Sequence, residues 1–242
     1  MLDHFPSLPL VVDYRFPITD QDVLGIYHVL RLHDHVRHLH LHLPPSMLYK
    51  CLVLMEKHFP ILEYLSLSFA DDKFATFTLP KAFMAPNLRH LALPGISPPK
   101  RLRLLTSTVS LITLGLWNIQ ISSYFRPRLL VARLSSLPQL RKLSICFSVP
   151  IPRPSAEGEL LREQGIPVTL PNLKAITYRG ISAYLECLVA QMRAPLLERL
   201  DITLFNQIAF ALPHLSHLIN VTQRFKLPAA RVSFFATRSP YS

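Results

Sequence analysis

A six-residue frame, L-x-x-L-x-L, sets the limits on how this chain can fold. It stands as Leu88-Arg89-His90-Leu91-Ala92-Leu93 and recurs from one end of the sequence to the other. The other copies are Val36-x-x-Leu39-x-Leu41, Leu62-x-x-Leu65-x-Leu67, Leu111-x-x-Leu114-x-Leu116 and Leu140-x-x-Leu143-x-Ile145. Leu173-x-x-Ile176-x-Tyr178 and Leu197-x-x-Leu200-x-Ile202 complete the series. The second half of each frame alternates apolar and variable residues, the period of a strand with one buried face. So short a strand cannot bury its apolar side alone and must stack on copies of itself. The middle positions lie 26, 26, 23, 29, 33 and 24 residues apart. Most of these fall in the leucine-rich-repeat range of about 20–29 residues, and the two longest hold insertions.

Five frames carry proline two residues before the first leucine: Pro60, Pro86, Pro138, Pro171 and Pro195. Proline cannot donate to a sheet ladder, so it suits the entry to a strand and stops a preceding helix. Pro9-Leu10-Val11-Val12-Asp13-Tyr14 reads as a further strand before the series, and the stretch around Ala229–Phe234 as one after it. Helical segments are expected between strands: from Asp20 to about Leu32, from Pro45 or Ser46 through Met55, and over Pro127–Leu134, Ala156–Glu163, Ser182–Met192 and Gln207–Thr222. The expected fold is α/β, a curved leucine-rich-repeat solenoid with parallel strands on the concave face and helices on the convex face. It forms a single domain over 1–242, with roughly nine irregular repeats and an exposed proline-rich loop near 148–155. The Asn or Cys usual at the strand-to-loop corner is replaced by Ala70, Ile96, Ile119, Ser148, Ile181 and Phe205, so apolar packing is expected there.

Composition narrows the partners. A net charge of +11 favours acidic partners. The basic residues are scattered, however, without the interleaved aromatics that a nucleic-acid surface uses, so nucleic acid is the secondary reading. No apolar stretch approaches the ~18 residues that a spanning helix needs, and no membrane association is expected. Three widely spaced cysteines, Cys51, Cys146 and Cys187, suit a reducing compartment. With no signal-peptide pattern at the N-terminus, the expected location is cytoplasmic or nuclear.

On each strand the leucines point inward and the residues between them outward. The outward columns are His38, Tyr64, His90, Thr113, Lys142, Ala175 and Arg199; then His40, Ser66, Ala92, Gly115, Ser144, Thr177 and Asp201; then His42, Ser68, Pro94, Trp117, Cys146, Arg179 and Thr203. The candidate partner-binding residues are His38, His40, Tyr64, His90, Trp117, Lys142, Arg179, Arg199 and Asp201, since aromatic and arginine side chains dominate interface hot spots. His38, His40 and His42 share one strand face at H-x-H spacing, which a metal can use. No carboxylate or thiol can be assigned as a further ligand, so no metal or other cofactor is expected. No phosphate-binding, zinc-protease or serine-hydrolase signature is present, and no catalysis is expected.

The repeats also resemble the leucine-rich portion of fungal F-box proteins, the substrate-reading subunits of cullin-based ubiquitin ligases. The stretches that carry the likeness include Phe59-Pro60-Ile61-Leu62-Glu63-Tyr64-Leu65, Ala85-Pro86-Asn87-Leu88-Arg89-His90-Leu91 and Pro195-Leu196-Leu197-Glu198-Arg199-Leu200. Tyr124-Phe125-Arg126-Pro127, Ile181-Ser182-Ala183-Tyr184-Leu185-Glu186 and Leu204-Phe205-Asn206-Gln207 continue it, over essentially the whole chain. The resemblance implies a substrate adaptor that binds a protein on its concave sheet. It also implies a Skp1-type adaptor as second partner, provided that an F-box lies upstream, because no F-box is visible in this sequence.

Overall fold

The computed structural model describes residues 8–15, 17, 19–70, 79–95, 103–120, 125–148, 166–205, 212–222 and 230–235. The chain is α/β with a large parallel sheet. It divides into two compact units, Met1–Asn118 and Ile119–Ser242, a division that the unbroken frame does not signal.

The first unit runs β1 (Leu10–Arg15), α1 (Asp20–Arg31), β2 (Val36–Leu43), α2 (Pro45–Leu54), β3 (Tyr64–Phe69), β4 (His90–Pro94), α3 (Arg103–Ser107) and β5 (Thr113–Ile119), whose last residue belongs to the second unit. Each strand pairs in parallel with the next, one frame per strand: Leu39 is level with Leu65, Leu65 with Leu91, and Leu91 with Leu114. β1 joins ahead of β2, with a register irregularity between Leu10 and Val11. The second unit runs α4 (Pro127–Leu134), β6 (Lys142–Phe147), β7 (Val168–Thr169), β8 (Ala175–Gly180), α5 (Ser182–Ala190), β9 (Met192–Arg193), β10 (Arg199–Phe205), α6 (Pro213–Val221) and β11 (Ala230–Phe235). Here Leu143 is level with Ile176 and Ile176 with Leu200, and β11 pairs on the far side of β10.

The frame is the core. No apolar position of the seven frames is more than 1 % exposed, so truncating any one to alanine should cost about 2–5 kcal/mol. The corner expected to be apolar is so at Ile119, Ile181 and Phe205, all buried. At Ser148 the hydroxyl instead donates to the Ile119 carbonyl at 3.0 Å. Ile96, residues 149–163, 207–211 and Ala229 lie outside the described residues, and with them the proline-rich loop and one expected helix.

The frame prolines have a sharper role than strand entry. In all five, the amide of the first leucine donates to the carbonyl of the residue before proline: Leu62 to Phe59, Leu88 to Ala85, Leu140 to Leu137, Leu173 to Leu170 and Leu197 to Ala194. Proline therefore sits second in a four-residue turn, where its fixed φ is already correct. The residue before it is buried each time. The backbone just upstream bridges to the next repeat, at His58 with Met84 and at Val168–Thr169 with Met192–Arg193. These short extended pieces fall in the segments between helix and frame that were expected to be loops. Asparagine follows proline in two turns and ties repeats together: Asn87 Nδ2 donates to Pro60 O at 2.7 Å, and Asn172 Nδ2 to Pro138 O at 2.9 Å.

Candidate interaction face

The outward residues of the first unit form rows across its strands. His38, Tyr64, His90 and Thr113 occupy one row, and Asp13, His40, Ser66, Ala92 and Gly115 the next. The third row holds Arg15, His42 and Ser68, and then Pro94 beside Trp117. Parallel pairing at equal frame position produces these rows directly, because every second residue of a strand faces the same way.

The first row is a ladder of rings. The His38 and Tyr64 centroids are 5.8 Å apart and those of Tyr64 and His90 6.1 Å, tilted at 41° and 40°. Separations of this size allow favourable edge-tilted aromatic contact. Beside the ladder, Arg37 Nε lies 3.2 Å from Glu63 Oε1, and the hydrogen bond from Arg37 holds the Glu63 carboxyl below its ordinary range. The pair is exposed and contributes about 0–1 kcal/mol.

The imidazoles of β2 do not converge. His38 lies against Tyr64, His40 Nδ1 is 3.2 Å from Asp13 Oδ1, and His42 Nδ1 shares a 2.8 Å hydrogen bond with Ser68 Oγ. Each ring has its own partner, and among the described residues no group of three His, Cys, Asp or Glu side chains is arranged to hold a metal ion. Burial lowers the pKa of His40 below its ordinary value, outweighing the opposing pull of Asp13. Asp13 is bound by Arg15, Nη2 to Oδ2 at 3.0 Å, and that hydrogen bond lowers its own pKa.

Trp117, the single tryptophan of the chain, lies over Gly115. A methyl group on Gly115 would overlap the six-membered ring of the indole. The glycine is thus what leaves room for the half-exposed indole over the strand.

The second unit arranges its candidates differently. Lys142, Ala175 and Arg199 share a row, followed by Ser144, Thr177 and Asp201, and then Cys146, Arg179 and Thr203. Lys142 and Arg199 are exposed, whereas Arg179 is half-buried with its guanidinium carbon 5.4 Å from the Phe205 ring centroid. At that distance the cation is held over the ring face. Burial pushes the Cys146 thiol up to about 11 and the Cys51 thiol to about 12, so neither is a ready nucleophile at neutral pH. Tyr64, His38, His90, His40 and Trp117 are thus gathered on the face of the first unit, and Lys142, Arg199, Arg179 and Asp201 on that of the second.

Four features escaped the reading of the frame. Asp13 and Arg15 belong to the first face, although the irregular register of β1 hides this. The asparagine ties are legible only as the pair Pro-Asn before a frame leucine. Glu186, on α5 and only 3 % exposed, accepts from the His214 and Leu215 amides at 2.9 and 3.0 Å, capping α6 from 28 residues away in sequence. Lastly, a groove of about 510 Å³ lies beside β9 and α6, lined by Met192, Arg193, His214, His217, Leu218 and Val221 among others. Comparison with known protein families, with curated proteins and with solved structures finds no match.

Proposed function

We propose that this chain is a leucine-rich-repeat solenoid that binds a protein partner on its strand face and carries out no chemistry of its own. The observation that carries the reading is the row geometry. Parallel strands in register set His38, Tyr64 and His90 side by side, with the six-membered ring of Trp117 over Gly115. Half-buried aromatic groups fixed by the backbone lose little conformational entropy on binding, which is what an interface anchor requires. Repeat proteins use such faces for recognition.

In this reading the chain is the substrate-recognition module of an F-box-type ubiquitin ligase, with the partner as substrate. That class rests on the resemblance of the repeats. Its test is co-purification of the full-length protein with a Skp1-type adaptor and a cullin; a full-length protein that does not associate with the adaptor would remove the ligase role and leave the binding module. The face itself is tested by Tyr64→Ala combined with Trp117→Ala, followed by quantitative cross-linking in cells. Partners should be lost while the urea midpoint stays near that of the parent, and retained partners would place recognition elsewhere. The net charge of +11 supports a second reading, a basic solenoid that binds nucleic acid independently of ubiquitin ligation. Oligonucleotide affinity that falls steeply with salt is its signature.

A further inference from the structure

The face of the second unit has a pair of cationic residues whose backbone positions stand at a fixed interval. Lys142, Ala175 and Arg199 are level on three adjacent parallel strands. Lys142 and Arg199 are both exposed, and neither is ion-paired among the described residues. Lys174, immediately beside them, is by contrast tied to Glu198 at 2.9 Å. Two strand spacings of about 4.8 Å put the Cα atoms of Lys142 and Arg199 roughly 10 Å apart. Only the small side chain of Ala175 lies between.

We propose that this pair receives an acidic, extended segment of the protein partner, with carboxylate side chains at positions i and i+3. The inference rests on the reading of the chain as a protein-binding module. The spacing selects the segment. In polyproline II conformation, residues three apart lie on one side at about 9.3 Å, close to the interval between the Cα atoms of Lys142 and Arg199. In a β-strand, residues on one side are about 6.7 or 13 Å apart and miss it. Charged segments without a packed core favour extended conformations through self-repulsion.

The same face argues for carboxylates and against a nucleic-acid backbone. Asp201 stands two residues from Arg199 on β10, level with Arg231 on β11, so acidic and basic residues alternate on this face and a continuous line of phosphates meets no uniform strip of positive charge. Among the described residues the three rows hold Lys142, Ala175 and Arg199, then Ser144, Thr177, Asp201 and Arg231, then Cys146, Arg179, Thr203 and Ser233, without a ring on which bases could stack.

The test is an array of immobilised twelve-residue proline-rich peptides, which hold polyproline II conformation, carrying two glutamates separated by one to six positions. It is probed with the labelled full chain, with glutamine peptides and oligothymidylate alongside. The signal should peak at a separation of three and be absent for glutamine. Lys142→Glu combined with Arg199→Glu should reduce it at least tenfold, with circular dichroism unchanged. A response that is flat across separations, absent throughout or untouched by the charge reversal overturns the inference. So does oligothymidylate that binds more strongly than any peptide and is lost in the same variant. Tyr64→Ala with Trp117→Ala separates the two readings. If that variant keeps its cellular partners and the array pattern is unchanged, the aromatic face alone falls. If it erases the array pattern, the acidic segment belongs to the first unit and this assignment fails.

Discussion

Replacing Gly115 with alanine should lift Trp117 off the sheet. The added methyl group would occupy the space of the indole's six-membered ring, and the backbone carbon that bears it is fixed by pairing with Ala92 on β4. The indole has to move. Overpacking of this kind costs about 1–3 kcal/mol. Against it stands about 0.4–1 kcal/mol from restricting the unfolded chain when glycine becomes alanine. The net loss of stability is therefore small, about 0–2.5 kcal/mol, and spectroscopy is the decisive readout. Because the chain has one tryptophan, native emission reports this site alone. Gly115→Ala should shift the emission to longer wavelength and increase quenching by acrylamide, and partner capture should weaken in parallel. An emission maximum and quenching constant equal to those of the parent would refute the idea that glycine holds the ring down. If the ring stayed covered but capture was lost, Trp117 would be dismissed as the anchor.

Glu186→Ala removes a buried carboxylate that accepts two backbone amides at the start of α6. A loss of about 2–4 kcal/mol in urea unfolding should follow, with hydrogen exchange at His214 and Leu215 accelerated most and Glu186→Gln intermediate. His40 binds its proton less readily in the folded chain than its ordinary value of 6.5 implies. The unfolded chain therefore binds more protons just below pH 6.5. The His40 contribution is present above 6.5 and is lost as pH falls from there through the lower folded value. His40→Gln should flatten the fall of the urea midpoint in that window, and an unchanged slope would show that His40 is not shifted. Finally, Cys146 and Cys51 are held protonated by burial and Cys187 is buried. At pH 7.5 a disulfide reagent should label the native protein slowly and all three thiols at once in urea; rapid native labelling would reopen a thiol chemistry.

Leucine spacing made the sheet legible, because a strand face that must be buried leaves little freedom of register. His38 beside Tyr64 and Lys142 level with Arg199 through Ala175 both follow from counting along the frames. What counting could not supply is anything that depends on a partner distant in sequence. Nothing around His214 announces that Glu186 will cap its helix. The three histidines of β2 look alike in sequence, yet they face Tyr64, Asp13 and Ser68, and those different neighbours prevent a shared ligand. The prolines were visible as punctuation, but their place in a closed turn depends on a hydrogen bond that no residue pattern displays. Gly115-Leu116-Trp117 could have been read further, since a glycine two residues from a large ring leaves room on the same face.

The proline turn at the head of five of the seven frames has a consequence for how such a chain can change. Where that turn closes, the first leucine amide is locked three residues downstream of a buried side chain, whatever length of chain came before. Intervals as unequal as 24 and 33 residues therefore deliver their strands to the same level. Length variation is absorbed upstream of the turn and never reaches the face. A lineage, or a designer, can rewrite the connecting segments freely and keep every outward side chain on its grid point, while one residue inserted between proline and leucine would shift a whole strand.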